Sequence, residues 1–306
     1  MRITNALVTH GLISQLTGAS ARLTEAQERV TTGLRVQKMS DDPAAAATIM
    51  QTSSALRSLG QFRTNVQRAS AEVTAEDSAL GQLGDVLMRA KELAFAQQGV
   101  NANATTRAAA AAEVQQLIGQ VVSIGNTKFG DSYIFGGINS TNVAPFDASQ
   151  TTQTPNYVAI PAGGTTPRIP QGMRSMETES GQPMTGAHDG DTVFLQTGVL
   201  SSLQDLYAGL TANSGSAVTT SLGELDGAFN AVQALVGDVG ARQNRLDAMA
   251  AHLDAYEQNL QGTKSSLSEV DMEEAITEMV ARQTAYQAAM QASSRVMGLS
   301  LTDYLR

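Results

Sequence analysis

From Val232 to Val270 one stripe of residues recurs at alternating intervals of three and four: Val232, Leu235, Val239, Arg242, Leu246, Met249, Leu253, Tyr256, Leu260, Thr263, Leu267, Val270. Spacing of this kind over five heptads predicts a long helix of coiled-coil or bundle type. A stripe that long needs a facing partner to bury it. The other end of the chain supplies two. Leu12, Leu16, Ala19, Leu23, Ala26 and Val30 keep the same spacing. A second seam runs Ile49, Thr52, Leu56, Leu59, Arg63, Val66, Ser70, Val73, Asp77, Leu80, Gly84, Leu87, Lys91, Ala94, with polar members but no slip in register. The N- and C-terminal helices are therefore expected to fold together.

Punctuation fits these helices. In Ser40-Asp41-Asp42-Pro43 either acid can cap a helix, and Pro43 suits its first position, where a missing N–H is no loss. That helix is expected to end near Gly99, and another fits Thr106 to Asn126. Near Ser268-Glu-Val-Asp271 the C-terminal seam jumps by two residues, and Ser268 and Asp271 stand at capping-box spacing. A new seam follows: Met272, Ile276, Met279, Gln283, Tyr286, Met290, Ser293, Met297. Glu273 and Glu274 suit the positive end of that helix dipole.

The middle differs. Residues 128–137, Lys-Phe-Gly-Asp-Ser-Tyr-Ile-Phe-Gly-Gly, read as a turn and a short strand. Residues 138–196 are rich in Gly, Pro, Thr and Ser, with short apolar runs at Tyr157–Ile160 and Thr192–Leu195 that read as strands. Tyr133, Phe135, Phe146 and Tyr157 suit a small β core under the helices, or an exposed contact patch. The expected fold is mainly α with a β-rich insert. Residues 1–36 and 272–306 form a terminal coiled-coil hairpin, 40–136 and 197–270 a helical bundle, and 137–196 the insert. Helical ends rich in small and aliphatic residues agree with an aromatic share of 4% and the absence of Trp.

Chemistry is scarce. With no Cys, thiolate metal sites and disulfides are excluded. His10, His188 and His252 lack zinc-site spacing. His188-Asp-Gly-Asp191 offers donors for a cation but reads better as a solvated Asp-Gly turn. Phosphate-loop, nucleophile-elbow and dinucleotide glycine patterns are missing. No catalytic residue, metal or cofactor is expected. A net charge of −9 without a Lys/Arg run argues against nucleic acid and anionic membranes as partners. The opening residues have no apolar core or cleavage site of a secretory signal, and no apolar run is long enough for a membrane span.

Residues 23–36, Leu-Thr-Glu-Ala-Gln-Glu-Arg-Val-Thr-Thr-Gly-Leu-Arg-Val, followed by Ser40-Asp-Asp-Pro-Ala-Ala45, resemble the N-terminal signature of the flagellin superfamily. Residues 267–275, 283–289 and 299–305 resemble its C-terminal signature. Ser-Asp-Asp-Pro, Tyr133-Ile-Phe-Gly-Gly137, Ala144-Pro-Phe146 and the short Leu-Ser-Leu-x-x-Tyr-Leu ending are similar to the branch that joins hook to filament, and filament flagellin is the alternative. The likeness covers roughly 130 residues at the start and 100 at the end; the insert carries none of these signature motifs.

The resemblance implies a structural protein of the extracellular bacterial flagellum, exported by the flagellar type III system without a cleaved signal peptide. Implied partners are the first hook-associated protein, flagellin, other copies in a helical ring and an export chaperone. The residues themselves argue for assembly as well. The end seams offer few large apolar side chains, and short isolated helices are marginal. The expected assembly surface comprises Leu12, Leu16, Leu23, Val30, Arg35, Met272, Ile276, Met279, Tyr286, Met290, Met297, Leu301 and Leu305, with Ser40, Asp41, Asp42 and Pro43 as cap and family motif. Met279, Met290 and Met297 suit adaptable contacts or ordinary core filling. Arg29 and Arg35 suit inter-subunit ion pairs or solvated helix faces.

Overall fold

The computed structural model describes residues 2–99, 102–139, 144–147, 169–179 and 182–304, without the side chains of 2–9, 139, 176, 178, 179, 182, 183 and 296–304. In chain order the elements are α1 (Arg2–Thr32), α2 (Pro43–Gln98), α3 (Ala104–Gly125), β1 (Lys128–Phe129), β2 (Ser132–Tyr133), β3 (Ser175–Glu179), β4 (Gln182–Thr185), α4 (Val199–Thr211), α5 (Gly215–Ser268) and α6 (Met272–Tyr304). The chain divides into two compact units, residues 1–58 with 256–306, and residues 59–255. The expected strand at Tyr157–Ile160 lies outside the described residues.

Residues 59–255 hold a dense core. Leu80, Leu83 and Leu87 of α2, Val114 and Ile118 of α3, Leu203 and Leu206 of α4, and Leu225, Val232 and Val239 of α5 are all buried. The buried stripe of α2 is broader than its heptad seam: Arg63 and Asp77 are exposed, whereas Glu72, Ala79, Leu83 and Ala90 are buried. A straight helix turns every 3.6 residues and drifts off a strict heptad, and α2 has neighbours on several sides. Arg89 pairs with Glu113 of α3 at 2.7 Å, and Lys91 pairs with Asp226 of α5 at 2.5 Å. The Asn103 side chain accepts the Thr106 N–H, and Thr106 Oγ1 accepts the Asn103 N–H, both at 3.0 Å, so α3 starts two residues before the expected Thr106.

Two short antiparallel hairpins, β1–β2 and β3–β4, account for the strands among the described residues. The aromatic core beside them is built from turns. Phe194 meets Phe135 and Phe146 edge-on, with centroids 5.1 Å apart in each case. Tyr133 is half-buried beside Lys128, and Tyr157 lies outside the described residues. Gly125 ends α3 against this cluster, and a Cβ there would stand 2.6 Å from the Phe146 ring. The Asn126 side chain holds Phe146 by donating to its carbonyl at 2.8 Å and accepting its N–H at 3.0 Å.

Thr192–Leu195 is not a strand. It lies in a π-helical turn, Asp191–Gln196, with Val193 and Phe194 buried. Asp189 Oδ1 accepts the Thr192 N–H at 2.9 Å and starts that turn. Short apolar runs do not distinguish buried strand from buried helix.

In residues 1–58 with 256–306, α1 packs on α6, with the end of α1 beside the start of α6: Arg29 reaches Glu278 at 3.4 Å. Gly33 closes α1 at φ +68°, its N–H donating to the Arg29 carbonyl at 2.9 Å. The chain then bridges to the break between α5 and α6. Arg35 N–H donates to the Ser268 carbonyl at 2.7 Å, and Val270 N–H donates to the Gly33 carbonyl at 3.0 Å. The capping box expected of Ser268 and Asp271 does not form. Ser268 lies inside α5 and donates back to the Lys264 carbonyl, so Asp271 alone caps α6 through the Glu273 N–H at 2.9 Å.

Candidate functional site

The helix pair α1–α6 leaves much of its apolar surface uncovered. Among the described side chains of these two helices only Ala26, Ala275 and Ser293 are buried. Leu12, Leu16, Leu23 and Val30 are half-buried on α1, as are Met279 and Tyr286 on α6. Met272, Ile276, Val280 and Met290 are 44%, 45%, 52% and 49% exposed. The face that α6 turns inward carries Ala275, Met279, Tyr286, Ala289 and Ser293, so the heptad seam splits: Met272, Ile276, Gln283 and Met290 are exposed. Leu305 and the side chains of Met297 and Leu301 lie outside the described residues.

The joint beside this pair is polar and well satisfied. Asp42 Oδ1 caps α2 by accepting the Ala45 N–H at 3.0 Å, and Pro43 takes the first helical position. Asp41 Oδ2 accepts the N–H groups of Gln37 at 3.1 Å and Lys38 at 2.8 Å, and Ser40 is exposed. These amides hold the Asp41 carboxyl below its ordinary range, with the Lys38 amide foremost; the Ala45 amide and then the Arg35 guanidinium do the same for Asp42. Arg35 pairs with Asp42 at 3.2 Å and donates to the Leu267 carbonyl at 2.9 Å. Arg29 pairs with Glu25 and Glu278. Both arginines have partners within the chain, Arg29 along its own helix and on α6, and Arg35 at the break before α2 and at the end of α5, while Arg35 stays exposed.

A second polar cluster lies in residues 59–255, and the sequence does not announce it. His188 and Asp189 are buried, contrary to the solvated turn expected of them. His188 donates its backbone N–H to Glu76 Oε1 at 3.0 Å, and its Nδ1 stands 2.6 Å from the same oxygen. Its Nε2 lies 3.1 Å from both Asp238 Oδ2 and Arg242 Nη2. Arg242 also donates to Asp238 and to the Gly186 carbonyl, each at 2.7 Å. One turn before Glu76, buried Glu72 pairs with Arg174. Burial pushes the Glu72 carboxyl up, and Arg174 pulls it part of the way back. Glutamates inside a helix stripe are the one available signal; their partners stand more than a hundred residues away.

None of this resembles a catalytic centre. Among the described residues no cluster of three His, Asp or Glu could hold a metal ion, and no helix is long and apolar enough to cross a membrane.

Comparison with known proteins accounts for the arrangement. The bacterial flagellin N-terminal helical region matches residues 3–140, and the C-terminal helical region matches residues 222–305. Flagellar hook-associated protein 3 of Escherichia coli is 26% identical over 98% of this chain and 98% of that protein. Flagellin FlaB2 of Treponema pallidum is 24% identical over 91% of each. Among solved structures, flagellar hook-associated protein 3 from Legionella pneumophila superposes with a TM-score of 0.60 at 14% identity, over 72% of this chain and 98% of that one. Bacillus cereus FlgL gives 0.56 at 20% identity, over 70% and 99%. With both helical ends matched and the fold shared, this chain belongs to the bacterial flagellin family, as a structural component of the flagellum and not an enzyme.

Proposed function

We propose that the protein joins hook to filament, binding the first hook-associated protein on one side and flagellin on the other, with copies of itself in a helical ring between them. One observation carries this reading: the helix pair α1–α6 buries only Ala26, Ala275 and Ser293 among its described side chains. A pair packed through so little core gains its order by covering the remaining stripe with neighbouring subunits. The expected assembly surface is Leu12, Leu16, Leu23, Val30 and Arg35 with Met272, Ile276, Met279, Tyr286, Met290, Met297, Leu301 and Leu305. Residues 1–36 with 272–306 serve as the assembly module, 40–136 with 197–270 as the helical-bundle body and 137–196 as the β-rich insert. Export through the flagellar type III channel, with a chaperone, delivers the chain outside the cell. Full-length likeness to hook-associated protein 3 supports the junction role over the filament role.

Deleting the gene tests this. Electron microscopy should show bare hooks, with flagellin monomers released to the medium. Hooks that still carry junction proteins but no filament would assign the chain to the filament instead.

A further inference from the structure

The buried cluster around His188 plays no part in the assembly surface, yet its geometry poises one proton to matter. Among the described residues, the charged groups facing the ring are these. From α2 comes Glu76, with Glu72 one turn earlier; from α5 come Asp238 and Arg242. From its own segment come Arg174, already paired with Glu72, and Asp189, satisfied by the Gly172 and Thr192 amides at 2.7 and 2.9 Å. Two carboxylates and one guanidinium thus surround the imidazole, and the set is neutral only when the ring carries a proton on both nitrogens. Glu76 Oε1 already takes two contacts from His188, while Glu76 Oε2 is buried without a partner. That carboxylate therefore leans wholly on His188.

Nε2 faces two incompatible neighbours at the same 3.1 Å. With its proton it donates to Asp238 and faces an Arg242 N–H unfavourably. Without its proton it accepts from Arg242 and presents a lone pair to Asp238. We propose that His188 is a proton-operated latch fastening residues 184–190 onto α2 and α5. The charged ring donates to Glu76 on one helix and Asp238 on the other. Loss of the Nε2 proton leaves Glu76 as its one carboxylate partner and loosens the segment. Arg242, anchored to Gly186 and Asp238, keeps the segment in place during the exchange. The inference does not rest on the hook–filament role.

The test uses the full-length monomer. Ring NMR follows His188 between about pH 5 and 9, assigned by its disappearance in His188→Gln. Hydrogen exchange of a peptide spanning residues 184–196 is measured over the same range and corrected for intrinsic rates. The expected result is one ring titration coinciding with about a tenfold loss of protection, the size expected when the bond to Asp238 is exchanged for one from Arg242 and the cluster is left with an uncompensated carboxylate. Asp238→Asn should flatten that step, because an amide can accept from one ring state and donate to the other. A ring that does not titrate in this range, or titrates without a change in protection, overturns the proposal. So does an equal step in His188→Gln. Should His188→Gln fail to fold, Asp238→Asn, at a side chain 49% exposed, still decides: an undiminished step there refutes the latch.

Discussion

Replacing Met272, Ile276, Val280 and Met290 together by Ser should leave the monomer almost as stable as before while disabling assembly. These side chains are 44–52% exposed, so each has about half its apolar surface left to bury. Full burial of such a side chain stabilises by roughly 1.5–3 kcal/mol, which puts the uncovered half near 1 kcal/mol each. Four together approach about 4 kcal/mol per subunit, on the order of a thousandfold in association constant. In the monomer the cost is spread over a helix pair with little core, and because residues 59–255 hold the dense core the principal unfolding transition should report on them. Calorimetry of the purified monomer should therefore show a main transition within about 2 °C of wild type. Leu83→Ala is the contrasting control. Leu83 is fully buried, so about 3 kcal/mol and a fall of roughly 6–12 °C are expected. Assembly is read by complementing a deletion strain and imaging hooks. A quadruple variant that restores filaments at wild-type frequency would refute the claim that this face works between subunits. One that lowers the main transition as far as Leu83→Ala would show that the face is already used inside the monomer.

Three further predictions follow from particular atoms. Gly125→Ala forces a methyl against the Phe146 ring and should destabilise by about 1–3 kcal/mol, seen as a lower calorimetric midpoint. Gly33→Ala places a side chain at φ +68° and should cost about 1 kcal/mol, read as faster exchange of the Gly33 and Val270 amides that hold the joint. Asp41 and Asp42 have carboxyls lowered by the fold, so what they contribute is complete above the ordinary carboxylate value and disappears as pH falls through their folded values. Glu72 runs the other way: its carboxyl is raised, so its contribution declines as pH rises from the ordinary glutamate value through the folded one. Asp42→Asn should accordingly shallow the acid limb of amide protection at Ala45, and Glu72→Gln should not.

The helices were legible because their stripes repeat. Val232, Val239, Leu246 and Leu253 are buried where the spacing placed them, and Pro43 and Asp42 open α2 as the cap chemistry required. What could not be read depended on distant partners. Arg63 and Asp77 fell on the heptad yet face water, because the real stripe drifts at 3.6 residues per turn. Val193 and Phe194 sit in a π-helical turn rather than a strand, and the one local clue was Asp189 three residues before Thr192. His188 resembled part of a wet turn because Glu76 and Asp238, which surround it, are far along the chain. On the assembly surface, Ile276 and Met290 could be placed on one stripe, but which face of α6 meets α1 was decided by Ala275 and Ser293, the residues small enough for close approach.

The crossing of the chain at Leu34 and Glu269 has a mechanical side. An uninterrupted pair of helices resists flexure evenly along its length. Here both rods are interrupted at the same level, and two peptide bonds' worth of polar groups, Arg35 to Ser268 and Val270 to Gly33, stitch the gap. Compliance gathers at such a gap, and the stitches cap how far it yields before something must tear. A structural component of the flagellum that carries load through both rods would yield at that level first, so stiffening Gly33 should change how load passes between them.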